Sequence, residues 1–143
     1  MHVASILKDK GSTVTTARPE TSIAEVAAKL AAKKIGAVVI VGGDGRVEGI
    51  LSERDIIRAI AQRGPAALNE TASDIMTRQV VSCTGADSLD HLMATMTSGR
   101  FRHIPVVENG ALVGIVSIGD VVKRHIEEVE QEATALKNYV VSC

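Results

Sequence analysis

The sequence predicts an α+β fold built from two tandem units related by a pseudo-twofold axis, each with the order β-α-β-β-α. The first observation is an internal repeat, because the apolar pattern of residues 14–41 recurs at 80–107. The second is that residues 45–58 recur at 110–123 with Gly, Ser and Asp in register. The third is size, since a unit of about 60 residues buries little surface by itself. We therefore expect two units that pack against each other.

The first unit opens with a short strand and continues into a helix. Ser22, with Glu25 three residues later, forms a capping box at the start of this helix. Helical spacing predicts its buried face, which comprises Ile23, Val26, Ala27 and Leu30. The apolar runs at 37–41 and 47–51 predict two strands, and a closing helix is expected over 53–61.

The second unit repeats this order. Ser88 starts a helix whose expected buried face comprises Leu89, Leu92, Met93 and Met96. Strands are expected at 104–107 and 112–116, joined by a tight hairpin turn at Asn109-Gly110. A final helix follows the last strand, and its expected buried side comprises Val121, Val122, Ile126 and Val129.

The repeat also sets the predicted domain boundaries. A short echo of residues 3–7 at 72–76 precedes the second unit, and Gly64-Pro65 breaks the helix between the copies. The predicted segments are a first motif at 1–63, a linker at 64–71, a second motif at 72–127 and a C-terminal helical tail at 128–143.

Composition excludes several classes of function. A net charge of −1 provides no positive field for nucleic acid or anionic lipid. An aromatic content of 1% rules out base-stacking platforms as a general mechanism. The apolar runs are far shorter than the roughly 20 residues that cross a bilayer, so no membrane association is expected. The N-terminus lacks the pattern of a signal peptide, and a cytoplasmic location is expected.

The cysteines and histidines carry no recognisable chemistry. Cys83 and Cys143 are too few for a disulfide framework. No paired metal-ligand spacing is present, so no metal site is expected. We predict that Cys83 is a small buried or half-buried residue and not a nucleophile. With no enzyme motif in the sequence, catalytic residues are not expected and the chain is predicted not to be an enzyme.

Both copies end on the same motif, Gly-apolar-apolar-Ser-x-x-Asp-apolar-apolar-basic, at residues 49–58 and 114–123. Together with SDIMT at 73–77 and RHIPV at 102–106, this pattern resembles the CBS (cystathionine β-synthase) domain pair, or Bateman module. The resemblance covers essentially the whole chain. It implies a stand-alone bacterial CBS-pair protein with two tandem β-α-β-β-α CBS motifs.

The repeated Ser-x-x-Asp has two interpretations. Ser52 and Ser117 lie where a helix N-cap belongs, which places Asp55 and Asp120 at the third helical position, as in a capping box. The same carboxylate can also accept hydrogen bonds from both hydroxyls of a ribose, while the Ser hydroxyl and the free N–H groups face a phosphate. The resemblance implies that these four residues contact the ribose and phosphate of an adenosine-containing ligand.

A nucleotide site also needs contacts for the base and the phosphate. The candidate base contacts are aliphatic, namely Ala37, Val38, Ile104 and Pro105. Backbone groups beside Thr16 and Ser82 are expected to face the adenine edge. Positive charge for a phosphate comes from Arg54, Arg100, Arg102 and His103. The alternative for the last three is a strand edge guarded by charge.

These observations predict a regulatory module that binds AMP, ADP, ATP, NAD(H) or S-adenosylmethionine in the cleft between the motifs, so that it senses energy or redox state. The alternative is a ligand-free dimerisation scaffold in which the Ser-x-x-Asp motifs only cap helices. We expect a homodimer, through the faces with Ile56, Ile57 and Ile60 and with Val121, Val122, Ile126 and Val129, and an unidentified target protein. The preferred nucleotide, and whether one or both copies bind it, stay open.

Overall fold

The computed structural model describes residues 1–11 and 13–142, and Cys143 lies outside the described residues. Within these residues, seven helices, one of them a 3₁₀ helix, and five strands follow one another. In chain order they are α1 (Val3–Lys10), β1 (Thr16–Ala17), α2 (Ile23–Lys33), β2 (Ala37–Val41), β3 (Val47–Ser52), α3 (Glu53–Arg63), the 3₁₀ helix (Gly64–Asn69), α4 (Ala72–Ile75), α5 (Leu89–Gly99), β4 (His103–Glu108), β5 (Ala111–Ser117) and α6 (Ile118–Ser142).

The strands form two sheets, one in each half of the chain. In the first sheet β1 pairs with β2 in parallel, and β2 pairs with β3 in antiparallel. The second sheet consists of the antiparallel pair β4 and β5. At the position equivalent to β1, Cys83 makes only an isolated parallel bridge to Val106. The expectation that Ser82 lies in a strand is therefore wrong. The hairpin turn is confirmed, with positive φ angles of 51° at Asn109 and 79° at Gly110.

The two halves have separate apolar cores. The predicted helix faces are confirmed as their centres, since Ile23, Val26 and Leu30 are buried in the first core and Leu89, Leu92 and Met96 in the second. Each core is completed by the short helix that leads the other half of the chain. Val3 and Ile6 of α1 pack in the second core, and Ala72 of α4, with Met76 just after it, packs in the first. The halves thus exchange their leading helices, which is what the echo at 3–7 and 72–76 encodes.

Two repeated glycines make this exchange possible. A Cβ on Gly49 would stand 2.6 Å from Sδ of Met76 and 2.9 Å from the carbonyl oxygen of Thr77. A Cβ on Gly114 would stand 2.6 Å from Cδ2 of Leu7, at the matching place in the other half. The missing side chains let the end of α4 lie directly on β3 and the end of α1 directly on β5.

The last helix, α6, has 25 residues. Val121 is fully buried in the second core, whereas Val122, Ile126 and Val129 are about half exposed. The predicted buried side is therefore wrong for these three residues, because of the four only Val121 faces the second core. Within the part of the chain that the structure describes, no helix combines the length and apolar character of a membrane span.

Candidate functional site

A cleft of about 280 Å³ lies between the two halves, near the lower end of the range of ligand pockets. The first half contributes the end of β3 and the first turns of α3. The second half contributes the segment 77–81 that leads into it and the residues before and within β4. This segment reaches the first sheet because Thr77 and Ile50 exchange backbone hydrogen bonds of 3.0 and 2.9 Å. The cleft is therefore built by both halves.

Ser52 and Asp55 lie at the N-terminal end of α3 and line this cleft. They form a complete capping box, in which the backbone N–H of Asp55 donates to Oγ of Ser52 at 3.2 Å and the backbone N–H of Ser52 donates to Oδ2 of Asp55 at 2.9 Å. The other oxygen, Oδ1, accepts a long hydrogen bond of 3.4 Å from Arg58. Since a carboxylate oxygen accepts about two hydrogen bonds, Oδ1 keeps capacity for a ligand hydroxyl.

The cleft is rich in positive charge although the chain as a whole is not. Four of its lining residues are arginines, at positions 54, 58, 100 and 102, whereas its acidic residues are Glu53 and Asp55. Arginine presents a planar set of donors that matches phosphate oxygens. The arrangement is therefore chemically suited to a phosphorylated ligand.

His103 lies at the contact between the two halves. Its ring packs against the backbone of Gly36, where a Cβ would stand 3.1 Å from Cε1 of the imidazole. Burial, together with the positive charge of Lys10, lowers the pKa of His103 below its ordinary value of 6.5. The imidazole is therefore neutral at pH 7 in the absence of a ligand, and a nearby phosphate would favour its protonation.

The second copy of the motif differs because a lysine from α1 forms a close ion pair with its carboxylate. Ser117 and Asp120 repeat the capping contacts at 2.8 and 3.1 Å. In addition, Nζ of Lys10 lies 2.6 Å from Oδ2 of Asp120 and donates to the carbonyl oxygen of Ile115 at 2.9 Å. Burial raises the pKa of Asp120, but the hydrogen bonds from Lys10 and Ser117 outweigh it, so this pKa lies below 3.8. The side chain of Lys10 therefore takes up Oδ2 of Asp120 and the carbonyl oxygen of Ile115.

Comparison with known families identifies the architecture. The CBS-domain family model matches residues 7–62 and 72–127. The chain belongs to the CBS-domain family. Its two matches make it a tandem CBS pair, as the repeated motif indicates.

Solved CBS-pair structures resemble the chain along most of its length. A CBS-domain protein from Agrobacterium tumefaciens is 52% identical, covers 85% of this chain and 91% of its own, and superposes with a TM-score of 0.83. The CBS pair of protein MJ0100, solved with 5′-methylthioadenosine and S-adenosylmethionine, is 29% identical over 90% of this chain and 98% of its own, with a TM-score of 0.80. A CBS protein from Pyrobaculum aerophilum complexed with AMP is 31% identical over 84% of this chain and 89% of its own, with a TM-score of 0.75. The predicted fold class and family are confirmed, and such pairs are in general regulatory modules.

The CBS pair brings together some of the predicted site residues and separates others. Six of them line the cleft, namely Ser52, Arg54, Asp55, Arg102, His103 and Pro105. Ser117 and Asp120 lie with Lys10 in the second copy. The other five lie elsewhere, with Val38 and Ile104 buried in the two cores, Ala37 buried in β2, and Thr16 and Ser82 on the surface.

Other residues of the cleft escaped sequence reasoning. They are Gly36, Ile50, Glu53, Arg58, Thr77, Gln79, Val80, Val81, Gly99 and Phe101. Phe101 is the chain's one phenylalanine, and its ring packs over Gly99, where a Cβ would collide with it. The position of Phe101, three residues before the predicted strand at 104–107, was the signal that could have identified it.

Cys83 is buried in the second core of the CBS pair. Burial, and then the charges of Asp87 and Glu108, raise the pKa of its thiol to about 12. The thiol is therefore a poor nucleophile, in keeping with the sequence-based interpretation. Among the described residues, no group of three His, Cys, Asp or Glu side chains is arranged to hold a metal ion.

Proposed function

We propose that this CBS pair is a regulatory module, not an enzyme, and that it binds one adenosine-containing ligand in the cleft at Ser52 and Asp55. The observation that supports this most directly is a carboxylate with a largely available oxygen among four arginines. The ligands of the two similar structures, AMP in one and S-adenosylmethionine with 5′-methylthioadenosine in the other, belong to the same chemical class. AMP, ADP, ATP and NAD(H) are the first candidates because all carry phosphates.

The cleft offers a contact for each part of such a ligand. Oδ1 of Asp55 would accept hydrogen bonds from the ribose hydroxyls, and the arginines, with Arg54 and His103 from opposite halves, would neutralise the phosphates. The base would pack between apolar groups of the cleft wall. These groups are Ile50, Val80, Val81, Phe101 and Pro105.

A thermal-shift screen with AMP, ADP, ATP, NAD(H) and S-adenosylmethionine tests the proposal. A ligand that binds the folded state at a hundredfold excess over its Kd stabilises it by about 2.7 kcal/mol. We therefore expect the melting temperature to rise by several degrees with at least one of them, while guanosine and cytidine nucleotides serve as controls. No rise with millimolar ligand would favour the alternative, a scaffold whose capping box at Ser52 has only a structural role.

We further propose that only the first copy of the motif binds a ligand, because Lys10 closes the second. Isothermal titration of the wild-type chain is then expected to give one nucleotide per chain. Lys10→Ala is expected to give two, since it frees Asp120 and the carbonyl of Ile115 for a second ligand. Lys8→Ala, an exposed lysine on the same helix, is the matched control. Two sites in the wild-type chain, or one site in Lys10→Ala, would contradict the closed second copy.

The remaining functional expectations are proposals of the same kind. Ile57, Val122, Ile126 and Val129 are exposed apolar side chains, which suits a homodimer. Of the expected dimer faces, Ile56 is instead buried in the first core and Ile60 packs against it. A cytoplasmic location is likewise proposed. Nucleotide binding would alter the cleft between the halves and so the surface that a target protein meets. Light scattering at micromolar concentration measures the oligomeric state directly, and a monomeric mass would contradict the homodimer.

A further inference from the structure

The C-terminal part of α6 extends beyond the folded body. Every residue from 130 to 141 is exposed. At about 1.5 Å per residue the whole helix is some 37 Å long, and its second half has no core beneath it. A helical segment of this length is marginal in water without a tertiary or quaternary partner. The segment therefore calls for a partner outside its own fold.

Six of the exposed apolar residues of α6 follow a heptad pattern. They are spaced alternately by four and three residues and comprise Val122, Ile126, Val129, Ala133, Leu136 and Val140. This seam is offset by one residue from the buried side of the helix, where Val121 packs into the second core. A seam with this period matches a two-stranded coiled coil, in which β-branched residues at one core position and leucine at the other favour dimers. The first kind of position holds Ile126, Ala133 and Val140, and the second holds Val122, Val129 and Leu136.

Charges beside the seam favour one orientation. In a parallel pair in register, the residue just before Ala133 of one copy faces the residue just after Leu136 of the other. The same relation repeats every seven residues. Glu132 of one copy then meets Lys137 of the other, which brings opposite charges together. In an antiparallel pair aligned over the same segment, Glu130 would instead face Glu130 of the other copy, and Glu132 would face Glu132. The parallel arrangement joins opposite charges, whereas the antiparallel one joins like charges.

We propose that residues 122–140 form a parallel, in-register coiled coil with the same segment of a second copy of this chain. This inference does not depend on the proposed nucleotide site. The partner is a second copy because the seam is self-complementary in both its apolar spacing and its flanking charges. It would hold two CBS pairs side by side with both C-terminal helices pointing the same way.

Disulfide cross-linking of the full chain tests the proposal. In a Cys143→Ser background, Leu136→Cys places a thiol in the seam, and Thr134→Cys places one on the outer face of the same turn. We expect mild oxidation to cross-link Leu136→Cys at least tenfold faster than Thr134→Cys. Equal rates, or no cross-link at Leu136→Cys, would overturn the proposal. Leu136 is 64% exposed, so the folded body tolerates the change.

A charge exchange tests the orientation in the same assay. Glu132→Lys sets Lys against Lys137 of the partner and is expected to slow the cross-linking of Leu136→Cys severalfold. Adding Lys137→Glu restores opposite charges and is expected to restore the rate. If Glu132→Lys leaves the rate unchanged, or if the double exchange fails to restore it, the parallel register is wrong.

Discussion

Asp55→Ala is expected to weaken binding of the adenosine ligand by about a hundredfold. Hydrogen bonds to a charged group contribute about 1.5–3 kcal/mol each, and the loss of about 2.7 kcal/mol raises Kd a hundredfold. The carboxylate lines the cleft and has an oxygen available for the ribose hydroxyls. Isothermal titration with the best ligand of the thermal-shift screen measures the change.

The chain itself offers a matched control for this prediction. Thr71 and Asp74 form another complete capping box, with Oδ2 of Asp74 accepting hydrogen bonds of 3.0 Å from both the backbone N–H and the hydroxyl of Thr71. This box is not among the residues that line the cleft. Asp74→Ala therefore removes a cap without touching the proposed site and is expected to leave Kd unchanged. Equal losses of affinity in both variants would show that Asp55 acts through the helix and not through the ligand.

Gly49→Ala is expected to destabilise the fold by about 1–3 kcal/mol, as overpacked substitutions do. The new Cβ would meet the carbonyl oxygen of Thr77, which cannot withdraw freely because Thr77 and Ile50 are held together by two backbone hydrogen bonds. For a chain of this size, the loss corresponds to a fall of roughly 3–10 °C in melting temperature. Differential scanning calorimetry without ligand measures it.

Two other glycines calibrate this result. Gly43→Ala is expected to be neutral, because nothing lies within 4 Å of its Cβ position. Gly114→Ala is expected to cost less than Gly49→Ala, since its contacts are with the flexible end of Leu7 and not with backbone. A Gly49→Ala protein that melts like the wild type would mean that α4 does not press on β3 as described.

Much of the fold was predictable because local pattern decides it. The capping residues Ser22 and Ser88 and the apolar spacing after them determine two helices, and Asn109-Gly110 determines a hairpin. The sequence did not reveal that the strand expected at Ser82 shrinks to a single bridge, because β-pairing depends on the neighbouring strand as much as on the strand itself. Nor did it show how α6 divides its apolar residues between the core and the surface.

The site was only partly predictable for a related reason. Six predicted residues line the cleft because the motif positions them beside one another on β3, α3 and β4. The pairing of Lys10 with Asp120 joins residues 110 positions apart, and no periodic pattern reports such a contact. The segment 77–81 likewise reaches the cleft only because it crosses to the other half.

The exchange of leading helices determines how this chain can fold. The first core stays incomplete until Ala72 and Met76 of the second half are available. The second core likewise requires Val3 and Ile6 of the first half. Neither half is therefore an independent cooperative unit, despite the clear repeat, and loss of one core removes a helix from the other. A cut in the 3₁₀ helix (Gly64–Asn69) would yield two fragments that each recover their missing helix only by reassociating.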